Sequence, residues 1–190
     1  MKILCTLFLT LLTTTLIAQK PCELATNVID SIGTLKETKT CVMYEKVFGG
    51  KTTLISISLA SDNGTPVLKL QHIQKSKDFE MPKCFDKSSK IIFQLSNGKV
   101  YTMVYGENDK CDQLIYNEKE KLNNRYVEGS FLFLKDDFTE LTKFPISFMR
   151  IRYAGENTDY VVKKELDCET LIETHFPANF FIDNFNCIAN

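Results

Sequence analysis

Two Asn-Gly dipeptides, Asn63-Gly64 and Asn97-Gly98, each sit between runs in which apolar and polar residues alternate. A two-residue type I′ hairpin turn needs φ > 0 at both central positions, and Asn-Gly meets that need at little steric cost. Alternation with a period of two places every second side chain on the same face of a strand. Together these features commit much of the chain to antiparallel β-structure with one buried face.

Around the first turn, Ile55, Ile57 and Leu59 alternate with Ser56, Ser58 and Ala60, and Leu68 and Leu70 with Lys69 and Gln71. A turn on Asn63-Gly64 sets Leu59 opposite Leu68 and Ile57 opposite Leu70, so the apolar members share one face. The same logic at Asn97-Gly98 sets Ile91, Phe93 and Leu95 against Val104, Thr102 and Val100. It also pairs Gln94 with Tyr101 on the wetter face. Cys84 and Cys111 stand thirteen residues before Asn97 and thirteen after Gly98. They are expected to meet as a disulfide, provided their Cα atoms come within about 4.4–6.8 Å. Asp86 to Ser89 and Gly106 to Lys110 read as loops, so the bridge is expected to clamp the base of the hairpin.

Such a bridge requires an oxidising compartment, and the start of the chain supplies a route to one. Lys2 precedes an apolar run from Ile3 to Ala18, with Ala18 before Gln19. Residues 1–18 therefore read as a cleaved secretory signal. The run is short of the ~20 residues that a helical span needs, so no membrane span is expected after cleavage. Residues 19–190 are expected to form a single mainly-β domain, periplasmic or secreted. Lys and Arg number 23 against 24 Asp and Glu, a formal charge of −1. That balance argues against nucleic acid as a partner.

Outside the signal the chain holds six cysteines: Cys22, Cys41, Cys84, Cys111, Cys168 and Cys187. An even number after export reads as disulfides. There is no CxxC, and His72 and His175 lack zinc-ligand spacing, so no metal is expected. With Cys84 joined to Cys111, Cys22–Cys41 and Cys168–Cys187 are the simplest completion.

Val28 to Ile32, Thr40 to Val47 and Tyr126 to Leu134 read as further strands, and Asp112 to Asn124 as a long loop or a short exposed helix. Ile146 to Tyr153 and Asp159 to Glu165 read as a third hairpin. Asp137 and Glu140 have capping-box spacing, predicting a short helix over Asp137 to Lys143 that ends before Pro145. Leu171 and Ile172 are assigned to a helical turn or two. Pro177 suits the first position of a C-terminal helix carrying Phe180, Phe181, Phe185 and Ile188. The expected fold is mainly β, with α+β as the runner-up. Antiparallel hairpins would form a curved sheet or open sandwich, with one short helix and a C-terminal helix.

Chemistry-bearing motifs are scarce. The sequence contains no GxSxG, HExxH, glycine-rich phosphate loop or EF-hand loop, and no catalytic residue or cofactor is assigned. His72 falls opposite Ile55 on an apolar face and reads as a buried structural imidazole; His175 reads likewise. Glu118 to Lys121 is a mixed charge run suited to a solvated face. Arg150 and Arg152 share a strand face, with Lys163 and Lys164 on the return strand. Paired guanidinium groups hold a carboxylate or sulfate well, so these four residues form a candidate anion site. Fourteen Phe and no Trp favour core packing over a sugar-binding platform.

The stretches Leu141 to Tyr153 (LTKFPISFMRIRY) and Asp159 to Lys164 (DYVVKK) resemble a C-terminal pattern in small exported proteins of Bacteroidota of unknown function. In that group a short helix ending in Leu precedes a basic strand, and the next strand runs into a terminal helix. Val28 to Gly33, the two Asn-Gly hairpins, Cys111 and a signal ending in Ala-Gln are similar in placement. Phe148-Met149, Cys168, Cys187 and the lack of a Gly-Tyr turn depart from it. The resemblance implies a bacterial exported protein and supplies no catalytic residues.

The functional expectation is an exported, disulfide-braced binding or structural module, leaning away from an enzyme. Its partner would be a protein, a glycan or a small molecule. The rivals are a small hydrolase built on carboxylates and a carrier of an apolar or anionic small molecule. Carboxylates with raised pKa in a deep pocket would mark the first, and a dry cavity lined by Phe the second. An exposed apolar patch would mark the binding module.

Overall fold

The computed structural model describes residues 22–188, and the signal expected over 1–18 lies outside them. The strands are β1 (Leu24–Ile29), β2 (Thr34–Thr38), β3 (Cys41–Phe48), β4 (Lys51–Asp62), β5 (Thr65–Ser76), β6 (Cys84–Phe85), β7 (Lys90–Leu95) and β8 (Val100–Tyr105). They continue as β9 (Lys110–Cys111), β10 (Gln113–Asn117), β11 (Leu122–Phe133), β12 (Ile146–Tyr153), β13 (Glu156–Val161), β14 (Leu166–Cys168) and β15 (Glu173–His175). A 3-10 turn at Pro177–Asn179 leads into α1 (Phe180–Ile188). The architecture is mainly β: an antiparallel sheet in the order β1-β2-β4-β5-β11-β8-β7-β12-β13, with β3 added on β4 and β10 on β11.

The β4–β5 hairpin has the expected register. Asn63 and Gly64 adopt φ of 49° and 85°, Leu59 faces Leu68, and Ile57 faces Leu70. All four side chains are buried. The second hairpin is displaced by one residue. Leu95 N–H donates to the Lys99 carbonyl (2.8 Å) and Gly98 N–H to that of Leu95 (2.9 Å), closing a three-residue loop over Ser96-Asn97-Gly98. Only Gly98 of that loop is left-handed, at φ 83°, as in a loop ending in a G1 bulge. Tertiary bonds decide this choice. Asn97 Nδ2 donates to the Glu140 carboxylate (2.6 Å) and Ser96 N–H to the Pro145 carbonyl (2.8 Å). Phe93 consequently pairs with Tyr101 and Ile91 with Met103. The slip turns Tyr101, Met103 and Tyr105 into the core and Val100 outward, opposite to the expected faces.

Cys84 nevertheless pairs directly with Cys111 and is bridged to it, in the separate β6–β9 ladder. Their Cα atoms are 3.9 Å apart, closer than the expected separation. The loop at Asp86–Ser89 absorbs the odd residue: Asp86 accepts from Ser88 and Ser89, and the Ser89 carbonyl accepts from Tyr105 N–H. The other bridge is Cys22–Cys187, with Cα atoms 5.4 Å apart. It replaces the expected Cys22–Cys41 and Cys168–Cys187 pairs. Cys168 is held away from α1 because its Sγ bonds to Glu45 of β3 (3.2 Å), while the β14–β15 hairpin returns the chain to the helix.

Three further expectations are corrected. The polar stretch Asp112 to Asn124 contains β10 and the start of β11. Asn117 Oδ1 accepts from Lys119 and Glu120 N–H and so closes a tight turn between them. Leu171 and Ile172 lie in the β14–β15 turn, with Ile172 at φ 57°, and His175 ends β15 rather than entering a helix. The helix expected over Asp137 to Lys143 is a run of turns. Asp137 caps Thr139 N–H, but Glu140 turns away to Asn97 instead of completing the box.

The sheet curls strongly. Tyr44 on β3 and Tyr160 on β13, which belong to opposite flanks, place their rings 4.8 Å apart. His72 on β5 reaches Tyr153 on β12 in the same way, with 3.1 Å between the imidazole Nδ1 and the hydroxyl. Phe85 stacks on Tyr153 and meets Phe131 edge-on. Gly129 lacks a side chain where these rings crowd: a Cβ there would sit 2.9 Å from Tyr105 and 3.0 Å from Phe85. α1 lays Phe180, Phe181, Phe185 and Ile188 into the same interior, with Phe181 against Phe93 and Phe185 against Phe133.

Candidate functional site

Strand β10 is the least buried part of the sheet. Leu114, Ile115 and Tyr116 are 54%, 55% and 51% exposed, although consecutive strand residues point to opposite faces. One edge of β10 is bonded to β11; among the described residues no strand pairs with the other. Native edges are usually blunted by lysine, proline or a bulge. Gln113 to Asn117 contains no charge or proline. The charged run at 118–121 masked this segment in the sequence, where the apolar triplet was the available signal.

The base of β10 is rigidly held. Asp112 is a buried carboxylate (side chain 2% exposed) that accepts from Arg125 Nη1 at 2.7 Å; the Arg125 side chain is 10% exposed. Asp112 and Lys83 also exchange two bonds of 2.8 Å, Lys83 N–H to Oδ2 and Asp112 N–H to the Lys83 carbonyl. Phe79, 72% exposed, covers the Arg125 guanidinium at 5.3 Å. Phe79, Leu114, Asn123 and Arg125 line a depression of about 80 Å³. Apolar strand and aromatic lid thus flank one neutralised cation.

The basic residues singled out from sequence divide. Arg150 is engaged by Asp159 across the β12–β13 ladder, Nε at 2.5 Å and Nη2 at 2.7 Å. The Arg150 guanidinium, by hydrogen bonding and then by charge, holds the Asp159 carboxyl below its ordinary range. Arg152 stands opposite Lys90 on one side and Asn157 on the other, and neither cation has an ion-pair partner among the described residues. Lys163 and Lys164 lie past the end of β13, beyond the Phe148–Val161 pair. There the Lys163 carbonyl receives Ala178 N–H. Lys90, overlooked in the sequence, is therefore the nearer companion of Arg152.

A cleft of about 250 Å³ opens between α1 and the β2–β3 corner, lined by Glu23, Lys39, Cys41, His175, Phe180 and Asp183 among others. Glu23 and Lys39 form an ion pair of 2.7 Å across its rim, and His175 Nε2 lies 3.8 Å from the Glu173 carboxylate. Against burial, which acts upward, hydrogen bonds displace the carboxyls of Glu45, Asp86, Glu107, Asp137 and Asp159 downward. At Glu45 burial acts upward, and bonds from Thr170, Glu169 and Cys168 together outweigh it. Among the described residues no group of three or more His, Cys, Asp or Glu side chains is placed to hold a metal ion. No helix among them is long and apolar enough to cross a membrane. Comparisons with protein-family models, curated proteins and solved structures return no match to this chain.

Proposed function

We propose that this protein is an exported, disulfide-braced binding module that takes an extended segment of a partner protein onto the open edge of β10. The carrying observation is the unblunted edge itself, with Leu114, Ile115 and Tyr116 exposed beside Phe79. Strand addition uses such an edge for affinity and the alternating side chains for selectivity. The two bridges are consistent with an oxidising compartment. The secretory reading of residues 1–18 and the resemblance to exported Bacteroidota proteins support the same location. A photo-crosslinking residue at Ile115 of the full chain, expressed in exporting cells, is expected to yield a discrete protein adduct. The adduct should disappear with Leu114→Lys and Tyr116→Lys together. Labelling no stronger than from Val100, an exposed position inside the sheet, would sink the reading.

A second reading is an anion site, favoured by the cross-strand pair Lys90 and Arg152. Like charges directly opposite are locally unfavourable, and an anionic ligand relieves the conflict. Arg150 is already neutralised by Asp159, and Lys163 and Lys164 lie past the far end of β13, away from the Lys90–Arg152 pair. A sulfated oligosaccharide titrated against the protein is expected to bind, with Arg152→Glu weakening it at least tenfold. Equal binding by that variant rejects the site.

A further inference from the structure

On the face of the sheet turned away from the core, β4, β5 and β11 align two polar rows. The register sets Ser58, Lys69 and Ser130 side by side, and Ser56, Gln71 and Glu128 two residues further along. The row between them, Ile57, Leu70 and Gly129, turns to the core, so bare backbone separates the outer rows. Side chains of both rows, with Glu37 from β2 and Glu107 from the loop between β8 and β9, enclose a hollow of about 150 Å³. A second hollow, of about 270 Å³, is lined by Lys110, Gln113, Tyr126 and Glu128 among others. Glu128 belongs to both.

The lining is mixed in character and held in place. Glu37 accepts from the Ser58 hydroxyl at 2.8 Å and meets Lys69 at 2.5 Å. Glu107 meets Lys110 at 2.7 Å and accepts from Ser130 N–H at 2.9 Å. Gln71 Oε1 accepts from Ser56 at 3.5 Å. Glu128 is bonded by the neutral Tyr126 hydroxyl, so a dipole rather than a lysine meets its charge.

We propose that the two hollows bind a disaccharide unit of a hexosamine glycan, with an amino group at Glu128. Closely set sugar hydroxyls both donate and accept, which suits a lining of serine, amide, lysine and carboxylate. A protonated amine gains a charge-assisted bond at Glu128, whereas an acidic sugar meets Glu37, Glu107 and Glu128 together. Tyr126, its hydroxyl held by Glu128, offers a ring on which one sugar packs. The platform is thus a tyrosine, in a chain that has no Trp. The exposed triplet of β10 and the Lys90–Arg152 pair take no part in this site.

The test uses protein purified from exporting cells with both bridges intact. Glucosamine disaccharide, its N-acetylated counterpart and putrescine are titrated at pH 6.5, by calorimetry and by amide shifts in two-dimensional NMR. The expected result is binding of the glucosamine disaccharide, with shifts centred on Ser58, Gln71, Glu128 and Ser130. N-acetylation and Glu128→Gln should each weaken it by about tenfold or more, the scale of one charge-assisted hydrogen bond. Glu128 is exposed, so the variant should keep the wild-type urea midpoint, and Arg152→Glu should bind as wild type does. No binding, shifts centred elsewhere, equal affinity for the N-acetylated sugar or in Glu128→Gln, or putrescine binding as tightly as the sugar overturns the proposal.

Discussion

Replacing Asp112 with alanine is expected to destabilise the protein by about 3–5 kcal/mol, the usual cost of stripping one partner from a buried ion pair. The carboxylate meets Arg125 at 2.7 Å and Lys83 N–H at 2.8 Å, so its removal strands a guanidinium and a backbone donor together. Phe79 over the guanidinium face limits the water that reaches it. Urea denaturation measures the loss. The decisive comparison is Asp112→Ala with Arg125→Met, which removes the buried charge and should recover much of the stability. A single-variant cost below about 1 kcal/mol would mean that the pair behaves as a solvated surface bridge. Amide exchange in β10 should quicken in the single variant, because the pair anchors the base of the proposed docking edge to β11.

The same neighbourhood separates what the sequence makes legible from what it hides. At Asn63-Gly64 turn chemistry and alternation agree, and the bonds that Asn63 exchanges with Thr34 leave the two-residue turn in place, so the register could be read directly. At Asn97-Gly98 the dipeptide fits a two- or a three-residue loop. The following strand, Val100 to Tyr105, is apolar on both parities and cannot arbitrate. The bonds that Asn97 and Ser96 donate to Glu140 and Pro145 make the choice. The equal spacing of Cys84 and Cys111 led to the observed bridge, although the ladder beside the turn is shifted by one residue. The two-strand ladder at the cysteines is separate, and the Asp86–Ser89 loop takes up the difference. Cys22–Cys187 spans 165 residues and depends on where the curled sheet delivers α1, which local pattern does not encode. β10 was obscured because its return turn is charged, and Lys90 because only its cross-strand neighbour gives it meaning.

Acidification from pH 6.5 to 4 is expected to remove on the order of 3 kcal/mol of stability through His72 alone. The imidazole is 2% exposed, bonded through Nδ1 to Tyr153, and its Nε2 has no hydrogen-bond partner. Burial, with a smaller contribution from the Lys83 charge, lowers its pKa from 6.5 to about 4. Between those values the unfolded chain binds a proton that the folded chain refuses, so stability rises with pH across the window. It is fully present above about 6.5, is lost progressively as pH falls from there towards 4, and levels off below about 4. Tyr153 does not titrate in this range, since burial holds its pKa well above 10. The surface carboxylates held low by their partners act mainly below pH 4.5, so a difference measurement isolates the histidine. Urea denaturation of wild type and His72→Leu at pH 7.5, 6.5, 5.5 and 4.5 should give diverging curves, steeper for the wild type. Parallel curves would place the imidazole in contact with water or with an acceptor for its second nitrogen. The fold would then have an opening into the interior at the point where β5 meets β12.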